Sequence, residues 1–196
     1  MSYQQARRFG GLSITIVLAI AAAGISTARA DVVNLNPCNS APLSQPFARW
    51  ADAAWYELAP GGDFESSSWA LSGGAHRVLG SDPYAVTGSR GFWSLQLPAG
   101  SSATSSPTCV DAAYPTVRFF IAGSGSVAVS IVVGNTEIPA GIAVAASSWI
   151  PTPVMLTSSA VVAASSDGVA QVSLRIRTLT GDPQLDDVYV DPWCRG

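Results

Sequence analysis

The 196-residue sequence predicts an all-β protein of the sandwich type. Three observations carry that reading. Short apolar runs recur at strand length, separated by Gly, Pro and Asn turn signals. One run, Val172-Ser173-Leu174-Arg175-Ile176-Arg177, alternates without a break, as a strand with one wet face does. No stretch holds an apolar 3.6-residue period long enough for a major helix. The alanine-rich run Ala160 to Ala164 is too short and contains β-branched Val161 and Val162.

In chain order, residues 1–30 read as a signal peptide. Arg7 and Arg8 precede a mostly apolar run from Leu12 to Ile25, and Ala28-Arg29-Ala30 forms a small-residue cleavage site. The run is shorter than the ~20 residues that span a bilayer, so no membrane span is expected after removal of the signal. The expectation is a secreted, extracellular protein that begins at Asp31. Of ten basic residues, three arginines leave with the signal, and the remaining seven face 13 acids, a net charge of −6. There is no Lys and no basic cluster, which excludes nucleic acid as a partner.

Residues 31–60 form an expected N-terminal lead-in. Asn36-Pro37, Pro42 and Pro46 keep it extended, while Phe47, Trp50, Trp55, Tyr56 and Leu58 give it apolar bulk that a flexible linker would not need. The sandwich is expected over 61–192, with a short tail at 193–196. Candidate strands are Ala75–Leu79, Trp93–Leu97, Val117–Ala122, Val127–Val133, Val154–Thr157, Val169–Thr178 and Leu185–Val190. Gly73-Gly74, Pro98 to Pro107, Gly123 to Gly125, Gly134-Asn135 and Gly181-Asp182-Pro183 read as the turns and loops between them.

No catalytic pattern emerges. His76 is the only histidine, and no nucleophile elbow, metalloprotease motif or phosphate loop is present. Asp186 and Asp187 are neighbours on one strand and are expected to point to opposite faces, which does not suit paired-carboxylate glycoside hydrolysis. The protein is expected not to be an enzyme.

Two acidic stretches stand apart: Gly61-Gly62-Asp63-Phe64-Glu65 with Trp69 following, and Leu185-Asp186-Asp187-Val188-Tyr189-Val190-Asp191. The first reads as a turn leading into a short strand. In the second, alternation forces one carboxylate inward or along an edge, where it is costly unless paired or bound to a metal. Together the stretches resemble the carbohydrate-binding-module type of jelly roll, in the galactose-binding-like group. They look closer still to small secreted actinobacterial proteins that carry this domain alone.

That resemblance implies a single jelly-roll β-sandwich and a non-catalytic binding function. The expected partner is a neutral polysaccharide. The alternative is a cell-envelope component, met by an extracellular structural or interaction domain with no sugar site. A chain with no catalytic domain attached gives weight to that alternative. The resemblance further implies a structural Ca²⁺ between the opening and closing strands, with Asp63 or Glu65 and one of Asp186 and Asp187 as side-chain ligands. It makes Trp69 and Trp149 core residues. Tyr84, Arg90, Phe92 and Trp93, with Asp82 near them in a Gly/Ser-rich region, remain as the candidate sugar site, since ring stacking needs exposed aromatics. Three cysteines allow one disulfide among Cys38–Cys109, Cys38–Cys194 and Cys109–Cys194. Cys38–Cys109 is expected, because it would pin the lead-in to the loop before Val117, with Cys194 in the tail.

Overall fold

The computed structural model describes residues 42–111, 116–156 and 169–191, all within one compact unit that spans 34–196. The expected signal peptide, Cys38, Cys194 and the 193–196 tail lie outside the described residues. Twelve antiparallel strands make up the described fold: β1 Leu43–Ser44, β2 Tyr56–Leu58, β3 Ala70–Ser72, β4 His76–Leu79, β5 Trp93–Gln96, β6 Ser102–Thr104, β7 Thr108–Asp111, β8 Thr116–Val133, β9 Thr136–Val144, β10 Ile150–Pro151, β11 Met155–Leu156 and β12 Val169–Asp191. The one helical element among them is a 3₁₀ turn at Ala48–Trp50. No described helix is long and apolar enough to cross a membrane.

Two long strands organise the rest. β8 and β12 pair along most of their length and run through both layers of the sandwich. Their distal halves form one layer in the order β3-β6-β12-β8-β9, with β7 beside the start of β12. Their proximal halves form the other, in the order β4-β5-β12-β8-β10, with β1 and β2 further along the same edge of β12. Val127, Val129, Ile131, Leu174 and Ile176 from the first layer share one core with Leu95, Phe119, Ile121, Leu185 and Val190 from the second. The chain is therefore an all-β jelly-roll sandwich.

Gly123 to Gly125 and Gly181 to Pro183, expected as turns, lie inside β8 and β12. The two signals fall opposite each other, with Gly125 paired to Gly181 and both at positive φ (92° and 71°). Where one glycine faces another, both strands can bend together and keep their ladder, so they turn the corner between layers without ending. Gly134-Asn135 does make a two-residue hairpin, into β9. β9 escaped the sequence reading because Pro139 and Gly141 interrupt it. It is an edge strand with a register shift opposite them, where proline is tolerated.

The lead-in is part of the fold. β2 pairs with β12, and Phe47 and Tyr56 pack on Phe120 and Tyr189, which point away from the main core. Phe47 contacts Tyr56 edge-on at 5.2 Å and Phe120 at 5.3 Å between ring centres. Beneath them lies buried Arg118. Its guanidinium donates to Asp52 Oδ2 at 2.5 Å and twice to the Thr152 carbonyl, and it sits 4.3 Å over the Phe47 ring. Burial raises the Asp52 carboxyl, but hydrogen bonds from Tyr56, Arg118 and the Ala54 amide outweigh it and hold the group below its ordinary value. The lead-in is thereby latched to β8.

Candidate functional site

The opening and closing acidic stretches meet. After β2, the Ala59 amide donates to the Val188 carbonyl, and the Val188 amide returns a bond to Gly62. The chains approach so closely that a Cβ on Gly62 would stand 2.5 Å from the Val188 carbonyl oxygen, so only glycine fits. Asp63, Phe64 and Glu65 form a turn rather than the expected strand, with Phe64 at φ 53° and its ring 5.3 Å from Trp69 in the core. Trp69 is buried and donates its indole N–H to the Pro60 carbonyl. Trp149 is partly buried against the Phe120 cluster.

Asp186 and Asp187 do not point to opposite faces, contrary to the alternation expected of them. Leu185 and Val188 both face the core, although they are three residues apart, so β12 holds one extra residue there. The register shifts between Asp186 and Tyr189, and Asp187 sits at φ 48°, the left-handed region that such a bulge uses. Both carboxyl groups then turn the same way and meet Asp82. Asp82, Asp186 and Asp187 each offer an oxygen within 4.8 Å of the other two, and none is more than 4% exposed.

The electrostatics of this triad are those of crowded, buried carboxyl groups whose charged forms are disfavoured. Asp186 accepts backbone bonds from the Asp82 and Asp187 amides, both at 2.9 Å, and Asp82 Oδ1 accepts from the Tyr84 amide at 2.7 Å. None of the ion pairs among the described residues reaches it. Desolvation pushes the Asp186 carboxyl up to about 7, despite those amide bonds. Asp187 is also driven upward, first by desolvation and then by the charges of Asp186, Asp82 and Asp63. Three buried carboxylates with hard oxygen donors could hold a divalent cation of the calcium type.

Of the acids expected at a metal, Asp186 and Asp187 lie in this triad. Asp63 is near enough for its charge to be felt by Asp187, while its Oδ1 accepts the Glu65 amide. Glu65 has other work: its Oε1 accepts the Phe92 amide at 2.7 Å and the Trp93 amide at 2.8 Å. Asp82 was read as a hydrogen-bonding flank for sugar, and its convergence with residues 104 positions away left no local sequence signal. The bulge did leave one, in the three-residue spacing from Leu185 to Val188.

The candidate sugar residues separate into two groups. Tyr84 packs on Phe120 and Trp50 and donates its hydroxyl to the Trp149 carbonyl at 2.5 Å. Phe92 is 73% exposed, and Trp93 is partly buried with the Arg77 guanidinium 4.6 Å over its ring. Arg90 is exposed. His76 is exposed on β4, with Nδ1 2.8 Å from the Gly74 carbonyl. Cys109 is half of a disulfide, and its two possible partners, Cys38 and Cys194, lie outside the described residues.

The class that this arrangement defines is an all-β jelly roll with a buried acidic triad at the junction of its opening and closing segments. The sequence matches no protein-family description and no curated protein. Among solved structures, the chain is similar to the module TmCBM61 in complex with β-1,4-galactotriose, at 17% identity and TM-score 0.42, over 68% of this chain and 96% of that one. It is also similar to a family 11 carbohydrate-binding module from Clostridium thermocellum in complex with a β-1,3-1,4-mixed-linked tetrasaccharide (12% identity, TM-score 0.45, 70% of this chain and 96% of that one). A third likeness is to the CBM22-1–GH10 modules of Clostridium thermocellum endo-1,4-β-D-xylanase 10B with xylohexaose (13% identity, TM-score 0.46). It covers 66% of this chain and only 27% of that one.

Proposed function

We propose that the protein is a secreted, non-catalytic carbohydrate-binding domain that takes neutral glycan weakly and is stabilised by Ca²⁺. One observation carries the binding reading. The Phe92 ring stands 73% exposed on a backbone whose Phe92 and Trp93 amides both donate to the Glu65 carboxylate. A flat aromatic is thus presented to solvent and held in place, which stacking on a pyranose ring requires and which lowers the ordering cost of binding. Arg77 and Trp93 supply a neighbouring polar and aromatic surface.

The acids favour structure over chemistry. Asp82, Asp186 and Asp187 are too buried to reach a glycosidic oxygen, so a role in hydrolysis does not suit them. Ca²⁺ on the triad would neutralise it and tie the loop of Asp82 to β12. The Cys38–Cys109 pairing belongs to the same reading, since it would fasten the lead-in to β7.

Neutral oligosaccharides, β-1,4-galactotriose and mixed-linked glucan among them, are the first ligands to titrate while Trp fluorescence is followed. Affinities of micromolar to millimolar order are expected for so open a surface. Phe92→Ala should abolish the response with an unchanged melting temperature, and binding that survives the substitution would refute the platform. The alternative, an extracellular interaction domain without a sugar site, is favoured by Ile142 and Val144, 60% and 64% exposed on the edge strand β9. A glycan array with no positive signal would leave that reading in place.

A further inference from the structure

A concave surface lies on the lead-in side of the domain, apart from the open Phe92 platform. Ser44, Gln45, Pro46, Ala48, Arg49, Tyr84 and Val86 line a cleft of about 300 Å³, at the small end of ligand pockets and suited to one sugar unit. We infer that this cleft is a separate ligand site, which takes a single hexuronate unit carried by an otherwise neutral glycan.

The chemistry of the walls leads there. Arg49 is exposed, and its guanidinium carbon lies 5.3 Å from the Trp50 ring centre and 5.6 Å from that of Tyr84. It takes part in no ion pair among the described residues. Its position is set by rings that are themselves fixed. Trp50 and Tyr84 meet edge-on at 4.8 Å, and Tyr84 is anchored at its amide by Asp82 and at its hydroxyl by the Trp149 carbonyl. A guanidinium held this way loses little freedom when it takes a carboxylate in bidentate fashion.

The remaining lining separates a sugar acid from a bare carboxylate. Gln45 spends its amide N–H on the Ala53 carbonyl, which leaves its carbonyl oxygen to accept from a sugar hydroxyl. The Ser44 hydroxyl is engaged by Tyr189, so Gln45 is the polar wall, while Val86 and the Tyr84 ring, both partly exposed, offer apolar surface to a pyranose C–H face. The net charge, −3 for the full sequence and −6 once the proposed signal peptide is removed, repels a polyanion at long range, which confines the ligand to isolated uronates.

The test uses the mature protein with methyl β-D-glucuronide, methyl β-D-glucoside and N-acetylglycine, titrated by saturation-transfer NMR. The glucuronide should bind at least tenfold more tightly than either of the others, and less tightly in 0.5 M NaCl. Arg49→Gln should erase that advantage, and Ala48→Glu, which sets an acid on the cleft wall, should reduce it. Both positions are exposed, so melting temperatures should not move. Phe92→Ala should leave glucuronide binding intact, which separates this cleft from the stacking platform. Equal affinity for glucuronide and glucoside, or an advantage that persists in Arg49→Gln, would overturn the inference. N-acetylglycine binding as tightly as the glucuronide would reassign the cleft to simple carboxylates and overturn it as a sugar site.

Discussion

In a chelator, the metal-free protein should lose stability as pH rises from about 4 to about 8. Asp186 ionises at 3.8 in the unfolded chain but at about 7 in the folded one, where desolvation disfavours its charge. Between those values the native state holds a proton that the unfolded state has released, so raising the pH favours unfolding. A carboxyl moved that far corresponds to roughly 4 kcal/mol, lost as pH climbs through about 7. At roughly 2–4 °C per kcal/mol for a domain of this size, the melting temperature should fall by about 10 °C. Asp187, driven upward by burial and by Asp186, extends the same slope to higher pH. Half-buried Glu57, raised by desolvation, has the same sign. Asp52 and Glu137 are held low by their hydrogen-bond donors, so their stabilising contribution is lost only below about pH 4 and does not mask the effect. Ca²⁺ should reverse the trend. It takes the place of the protons, so its stabilisation should grow with pH and reach about 2.7 kcal/mol at 100 times its dissociation constant. The assay is a set of thermal melts from pH 4.5 to 9, in EDTA and in millimolar Ca²⁺. A chelated protein whose melting temperature stays level or rises between pH 5 and 8 would refute the buried triad with raised carboxyls. Coincident curves with and without Ca²⁺ would refute the metal alone.

Other outcomes follow from single contacts. Asp52→Ala strips the partner from buried Arg118 and should cost about 3–5 kcal/mol in chemical denaturation, whereas Arg118→Met with Asp52→Asn should recover much of the loss. Gly62→Ala should destabilise by more than ~1 kcal/mol, because its Cβ meets the Val188 carbonyl and backbone cannot yield as a flexible side chain would. Non-reducing peptide maps should join Cys38 to Cys109; recovery of a Cys109–Cys194 peptide would refute that pairing.

Strand-forming segments were legible where the pattern was local. Val172 to Arg177 alternates in β12 as read, and Val127 to Val133 lies in the central strand that its apolar run demanded. The corner was misread, since Gly123 to Gly125 and Gly181 to Pro183 look identical to turns until each is seen opposite the other. Period-2 logic likewise separated Asp186 from Asp187, because one residue in the left-handed conformation is enough to undo it. The aromatics of the lead-in announced packing. Their partner face, Phe120 and Tyr189, was hidden inside strands where every other residue is apolar for a different reason.

Both layers take their central strands from the same two segments, and β12 follows every other described strand in the chain order. Neither layer can therefore close before residues 169–191 are available, because β5, β6, β7 and β2 all pair with them. Each of those pairings joins segments far apart in sequence, the kind of topology that folds slowly. Hairpins such as β4–β5 and β8–β9 need only neighbouring segments, but joining them into two layers waits for residues 169–191.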